Sequence, residues 1–330
     1  MTIRQKDTPV FSFDEQTGIA QIETPAAFSY PETLLYLTRS PLECLHSVEN
    51  RRIYKLLEAG KELLPVEISE PGPGRLQLLF LQGPPADPNA VREAVAYTAE
   101  WMDLARDMTP FYAVAQSDPL LGPLASGYYG LRIIGVPHLF EALCWAIAGQ
   151  QINLTFAYTL KRRLVENYGK KLVWEGRTYW LFPKPGDLAG VTVEELRQLQ
   201  FTGKKAEYIL HVAGLMDSGT LSKEALLASG SYEAAERTLL AIRGIGPWTA
   251  HYVLMRCLRN PAAFPIGDAG LHNALKQLLR RTQKPALEEI RQLFAPWRGW
   301  EAYAVFYLWR SLLPEGSLAI QTPDLPDAAR

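Results

Sequence analysis

Residues 241–250 read Ala241-Ile242-Arg243-Gly244-Ile245-Gly246-Pro247-Trp248-Thr249-Ala250 and lie between two stretches of helical periodicity. The segment reads as helix, hairpin, helix. Gly244 and Gly246 let the backbone turn tightly and leave its N–H groups uncovered. Pro247 suits the first turn of the second helix, whose positive dipole end points the same way. Unpaired amides at a helix start make an anion site, suited to one DNA phosphate and indifferent to base sequence. Many helix-turn-helix corners also contain Gly-x-Gly, so the hairpin needs a second feature beside it.

That feature is Asp268, 22 residues after Gly246, within Phe264-Pro265-Ile266-Gly267-Asp268-Ala269-Gly270-Leu271. It precedes a helical pattern with Leu271, Leu275, Leu278 and Leu279 on one side. An aspartate there has a routine job as N-cap. A chemical role for the same carboxylate is compatible with capping.

Working outward, almost every pattern after Pro110 has a period near 3.6. Leu139, Leu143 and Ile147 recur along one face up to Gly149. The loop Gln150-Gln151-Ile152 follows, and Asn153 is placed to cap a second helix running to Gly169. Trp174 to Leu181 is aromatic and β-favouring, which suggests a small hairpin, and helices resume near Val193, Lys204, Ser222, Tyr232, Pro247, Ala269, Leu287 and Trp300. Toward the N-terminus the character changes. Short β-rich segments at Phe11–Phe13, Ile19–Ile22, Leu63–Ile68 and Leu76–Leu81 predict a small antiparallel sheet, with a helix over Tyr30–Leu45. Asp87-Pro88-Asn89 then opens a helix with Val91, Val95, Trp101 and Met102 on its apolar side. The boundary between the two regimes falls near residues 84–107, and the Pro- and Asp-rich tail after Pro314 is expected to fray.

With 330 residues, 48% hydrophobic and 21% charged, the chain has the composition of a globular protein large enough for two or three domains. No run approaches a membrane span, and Lys6 and Asp7 stand where a signal peptide would be apolar, so a cytoplasmic protein is expected. Cys44, Cys144 and Cys257 are too far apart for a disulfide framework or a C-x-x-C site and read as reduced thiols. The net charge of -1 hides a gradient. Residues 1–150 hold 11 Lys+Arg against 18 Asp+Glu, residues 151–260 hold 15 against 10, and residues 261–330 hold 8 against 7. Lys161, Arg162, Arg163, Lys170, Lys171, Lys204 and Lys205 lie in the basic middle third, which would therefore meet phosphates while the acidic part faces elsewhere. Solvated helix faces account for the same charges equally simply. The histidines, including His251 and His272, read as surface or satisfied residues.

From Pro110 to about Leu313 the chain resembles the helix-hairpin-helix DNA glycosylases, and among them the bacterial 3-methyladenine DNA glycosylase II (AlkA) type. The resemblance is carried by Leu139–Leu143 running to Ile147-Ala148-Gly149-Gln150-Gln151-Ile152, by Lys204-Lys205-Ala206-Glu207-Tyr208-Ile209, by the Gly244–Ala250 hairpin, by Asp268, and by Trp297–Ala304 with Trp309. These blocks stand in the family's order.

The implied fold is mainly α, a two-lobed helix-hairpin-helix glycosylase core with an N-terminal α+β domain built on a small antiparallel sheet. One lobe would span 104–130 plus 260–320 and carry the catalytic Asp, the other 131–259 with the hairpin, after an N-terminal domain at 1–103 and before a tail at 321–330.

By the same resemblance Asp268 is the essential carboxylate. Gly244, Gly246 and Thr249, with Lys204 and Lys205, would contact DNA, and Trp248, Tyr252 and Trp309 would line the base pocket. For Trp309, plain core packing is an equal alternative. The family's hairpin carbonyls, here Ile242 and Gly244, can hold a monovalent cation, although nothing else in the sequence points to one. Gln151 stands where the AlkA type inserts an apolar wedge into the DNA gap, so either Gln151 fills the gap by hydrogen bonding or Ile152 enters instead. The position of the Schiff-base lysine of bifunctional members is Trp248, and no cysteine follows Cys257 to hold the iron-sulfur cluster of endonuclease III relatives.

The resemblance thus implies a monofunctional, monomeric base-excision repair glycosylase. It would need no cofactor or catalytic metal, bind double-stranded DNA containing damaged bases, and release alkylated bases such as 3-methyladenine and 7-methylguanine to leave an abasic site. The alternatives are a glycosylase for oxidised or deaminated bases, a non-catalytic helix-hairpin-helix DNA-binding module in which Asp268 only caps, and an all-α interaction scaffold.

Overall fold

A computed structural model of the chain describes residues 9–314. The expected tail at 321–330, and the end of the lobe drawn to 320, lie outside the described residues. The first third holds strands β1 (Phe11–Asp14) and β2 (Ile19–Glu23), helix α1 (Tyr30–Leu37), strands β3 (His46–Glu49), β4 (Arg52–Ala59), β5 (Glu62–Gly72) and β6 (Arg75–Phe80), and helix α2 (Pro88–Trp101). The strands form one antiparallel sheet in the order β1-β2-β6-β5-β4-β3. Alternation sets its faces: in β2, Ala20 and Ile22 are buried while Gln21 and Glu23 point to water.

Two features of this region differ from the sequence-based expectation. Strands β3 and β4 carried no turn signal, because the hairpin between them closes on Asn50 and Arg51, both left-handed at φ 49° and 61°. Asn tolerates that conformation, but arginine seldom marks it. The helix expected over Tyr30–Leu45 ends at Leu37, ahead of Pro41, which disfavours helical backbone at the residue before it. Beyond it Glu43 turns inward, and its Oε1 accepts the N–H groups of Cys44 and Leu45, each at 2.8 Å.

The remainder is helical: α3 (Thr109–Gln116), α4 (Leu121–Gly127), α5 (Leu139–Gly149), α6 (Leu154–Tyr168), a ribbon of β7 (Lys170–Trp174) and β8 (Arg177–Leu181), then α7 (Val193–Gln198), α8 (Gly203–Asp217), α9 (Lys223–Leu227), α10 (Tyr232–Leu240), α11 (Pro247–Arg256), α12 (Ala269–Leu278), α13 (Leu287–Phe294) and α14 (Glu301–Arg310). Local caps act as the sequence predicts. Asp87 accepts the Asn89 N–H at 2.9 Å, and Asn153 accepts the Phe156 N–H at 2.8 Å. The ribbon starts earlier than Trp174, turning on Glu175 and Gly176 at φ 47° and 74°. Helix α5 packs on α6, α8 and α11, while α4 and α12 lie against α14. No described helix is long and apolar enough to cross a membrane. None of the three cysteines is in a disulfide, and Cys144 and Cys257 are buried.

The charge gradient is resolved within the molecule, contrary to the expectation that the acidic region faces elsewhere. Lys161 is buried between Glu43 at 3.1 Å and Glu141 at 3.2 Å, Glu58 takes Lys170 at 2.9 Å and Lys184 at 2.6 Å, Arg177 grips Glu49, and Lys223 reaches Glu100. The sheet domain is thus fastened to the basic middle third through opposite charges. Burial alone would raise the Glu43 carboxyl, but Lys161 and His46 beside it hold it well below the usual carboxylate range.

Burial pushes His46 down to about 4, against the pull of Glu43 and with help from Lys55. It lowers His138 as well. Below the unfolded-state value near 6.5, the unfolded chain takes up protons that the fold refuses, so this contribution is complete above about pH 6.5 and shrinks toward pH 4. Calorimetry at stepped pH should therefore show the unfolding midpoint falling across that window. His46→Gln should show a shallower fall; an equal slope would rule out His46 as a source.

Candidate active site

The hairpin joins α10 to α11. Gly244 has φ +92°, and a Cβ there would lie 2.2 Å from Cγ of Tyr208, whose ring from α8 lies against the turn. At Gly246 nothing lies within 4 Å of the equivalent position. Its carbonyl accepts the Ala250 N–H at 2.9 Å, and no side chain caps α11, so the first-turn amides are open to a ligand.

The α5–α6 loop is tied to this turn through Gln150, which the sequence reading did not single out. Its side-chain amide donates to the Gly244 carbonyl at 3.0 Å and to the Thr249 hydroxyl at 3.1 Å. Thr249 itself is buried. The two carbonyls expected to hold a cation are both engaged, Ile242 by the Ile245 N–H at 3.0 Å and Gly244 by Gln150. Each of these oxygens keeps a second lone pair on which a cation could rest. Gln151, at the tip of the loop, is exposed and left-handed at φ 56°, whereas Ile152 packs against the core. Lys204 is exposed. Lys205 is not, contrary to its expected contact with DNA: its ammonium is buried and donates to the Ala148 carbonyl at 2.7 Å, closing the C-terminal end of α5.

Asp268 caps α12, its Oδ1 accepting the Leu271 N–H at 2.8 Å. The same carboxylate is held by two indoles. Trp309 donates to Oδ1 at 2.7 Å and Trp248 to Oδ2 at 3.1 Å. Trp309 is therefore more than core packing. Both rings meet Tyr252, with centroids at 5.6 Å for Trp248 and 6.4 Å for Trp309. Tyr252 is buried, and its hydroxyl accepts from Arg256 at 3.0 Å. Burial raises this phenol to about 12, with Arg256 pulling the other way, so it remains a neutral, hydrogen-bonded surface. The two histidines are satisfied as expected: His251 accepts the Phe264 N–H at 3.1 Å, and His272 lies 2.8 Å from the Ile266 carbonyl.

Gly270 also escaped the sequence reading. A Cβ on it would stand 3.0 Å from Asp268 Oδ1 and 3.2 Å from Trp309 Nε1. Alanine is the better helix former, by roughly 0.5–1 kcal/mol. Gly270→Ala should therefore leave the unfolding midpoint equal or higher while lowering turnover severalfold, because the indole and carboxylate must part. Undiminished turnover would show that their contact is dispensable.

An open amide turn and a carboxylate fixed between two indoles are chemically suited to holding a phosphate and to stabilising a positive centre next to aromatic faces. The comparisons with known proteins agree. Residues 144–299 match the model of the HhH-GPD superfamily base excision DNA repair proteins. The chain is 45% identical to the DNA-3-methyladenine glycosylase of Bacillus subtilis over 302 residues, 91% of this chain and 99% of that protein. It is 31% identical to DNA-3-methyladenine glycosylase 2 of Escherichia coli over 57% of this chain and 63% of that one. A 3-methyladenine DNA-glycosylase from Archaeoglobus fulgidus shares the fold at a TM-score of 0.76 and 22% identity, over 88% of this chain and 96% of that one. The chain belongs to the HhH-GPD superfamily of base excision DNA repair proteins, and it is a DNA glycosylase, a hydrolase of the N-glycosidic bond.

Proposed function

We propose that this glycosylase acts as a monomer on duplex DNA, extrudes an alkylated purine such as 3-methyladenine or 7-methylguanine, and hydrolyses its N-glycosidic bond without cutting the strand. The observation that carries this reading is the Asp268 carboxylate held by Trp248 and Trp309 beside Tyr252. The names of the Bacillus subtilis and Escherichia coli relatives support the substrate class.

A stacked base is out of reach, so the nucleotide must flip out at a cost of a few kcal/mol, less when the base is damaged. The open amides at Gly246 and the start of α11 hold a backbone phosphate during the flip, with Lys204 adding charge at the surface. Gln151 enters the gap left behind, since it is the exposed loop tip and Ile152 is anchored. As the C1′–N bond lengthens, the sugar becomes oxocarbenium-like, and a nearby carboxylate stabilises it. Oδ2 accepts one hydrogen bond against two at Oδ1, which leaves it the freer oxygen for that cation. Trp248 at the Schiff-base position leaves no lysine there for strand cleavage. Alkylated purines carry positive charge and are good leaving groups, and the faces of Trp248, Tyr252 and Trp309 would stack on them.

Single-turnover release from a panel of duplexes, each with one lesion, tests the reading. Release of methylated purines with an intact strand supports it. Binding to DNA without release of any base would leave only the non-catalytic module.

A further inference from the structure

The loop between α5 and α6 is pinned on both sides of its tip. Lys205 closes the end of α5 at the Ala148 carbonyl, 2.7 Å away, while Ile152 packs on the core and Asn153 caps α6. Between these anchors stands Gln151, exposed, with a left-handed backbone at φ 56° that a glutamine holds only where its surroundings impose it.

Gln150 supplies the remaining anchor, the one that reaches the turn. Its Nε2 carries two hydrogens and meets two acceptors, the Gly244 carbonyl at 3.0 Å and the Thr249 hydroxyl at 3.1 Å. The carbonyl can only accept, which fixes the end of the amide that faces the turn. Among the described residues, the hydrogen bonds between residues 150–153 and residues 244–249 all come from this amide. Gly149 extends the contact: a Cβ on it would lie 3.8 Å from Cη2 of Trp248, the indole that donates to Asp268 Oδ2. Loop tip, amide turn and carboxylate are therefore joined through one continuous set of contacts.

We propose that Gln150 is a positioning residue for base extrusion, holding the gap-filling tip at Gln151 at a fixed distance from the amides that grip the phosphate. The inference rests on the reading above, which puts Gln151 in the gap and a phosphate at the start of α11. Gln150 itself touches no reacting atom. On a slack loop the tip would shift relative to the held phosphate, and the energy of filling the gap would be spent on moving the loop instead of on keeping the base out. With both hydrogen bonds made, the two contacts act on the duplex as one rigid unit, and the loop is ordered before DNA arrives. The step assisted is the flip and not the cleavage at C1′, so the need for Gln150 depends on whether the lesion is paired.

The test is single-turnover release of 7-methylguanine by the full chain in saturating excess. In one duplex the lesion is paired with cytosine; in the other it stands opposite an abasic analogue, where little has to be unpaired. Gln150→Met keeps the length of the side chain and removes both hydrogen bonds, and Thr249→Val removes one of them from the buried partner's side. Gln150→Met should lower release from the paired duplex about 25-fold, roughly fivefold for each hydrogen bond lost, and Thr249→Val about fivefold. Both should stay within about threefold of the unaltered chain on the unpaired lesion. Gln151→Ala should show the same dependence on pairing, and adding Gln150→Met to it should cost less than about threefold more, because the two act through one contact. Should Gln150→Met fail to fold, as its unfolding midpoint would show, the pairing dependence of Thr249→Val decides. Equal losses on the two duplexes, as a merely structural role gives, or no loss on the paired one, would overturn the proposal and leave the glycosylase reading intact. So would losses that multiply in full in the double variant, or undiminished release by Gln151→Ala. Release from neither duplex by the unaltered chain would remove the underlying reading as well.

Discussion

Asp268→Asn should reduce single-turnover base release by at least about 1,000-fold while affinity for a duplex containing an abasic analogue stays within about threefold. At about 4 Å from the sugar cation and an effective dielectric near 20, the lost charge is worth on the order of 4 kcal/mol, which sets that factor. The geometry adds a second loss. Both carboxylate oxygens accept indole N–H groups, and Oδ1 also caps α12. Asparagine can keep its oxygen on Leu271 and Trp309, but its amide N–H then faces the Trp248 N–H, donor against donor, so Trp248 must move. Asparagine caps a helix as well as aspartate does, and the unfolding midpoint should hardly change. Undiminished release would reduce Asp268 to a helix cap.

The second large effect concerns the turn. Gly244→Ala is expected to cost about 2–5 kcal/mol of stability and to abolish measurable affinity for abasic duplex. Gly246→Ala should leave the midpoint nearly unchanged and weaken the same affinity only moderately. The two glycines are two residues apart and chemically identical, so composition gives no reason to separate them. At Gly244 the backbone is left-handed and the added carbon would meet the ring of Tyr208 at 2.2–2.6 Å, so strain and overpacking combine. At Gly246 the space is open, and a methyl group would only crowd the phosphate that the open amides hold. Denaturant unfolding with fluorescence anisotropy on a labelled duplex measures both quantities. Equal midpoints for the two variants would contradict the packing of Tyr208 on the turn.

Much of the site was legible because its signals are local. A capping residue, a Gly-x-Gly corner and a helix-starting proline act within a few positions of themselves, so Asp268, Gly246 and Pro247 stand at the element boundaries where the sequence sets them. The β3–β4 hairpin was illegible because Asn50-Arg51 adopts a conformation that the strand pairing imposes and its residue types do not announce. Lys204 and Lys205 show the limit most sharply. They are adjacent and identical, yet one is exposed and the other is buried against the end of α5. Only the rotation of α8 against α5 distinguishes them.

By itself the sequence determined the helical character after Pro110, the order and ends of most helices, the amide turn, and the placement of a carboxylate at the start of α12. These depend on periodicity and on hydrogen bonds between residues two to four positions apart. The tertiary structure alone decided what those groups face. It brought Trp309 to an oxygen 41 residues away, turned Gln150 onto the turn 94 residues on, and set the glutamates of the sheet domain against the lysines and arginines of the middle third. Contacts of that span depend on how whole elements pack, where burial and charge pairing across the interface outweigh any preference of the residues taken singly.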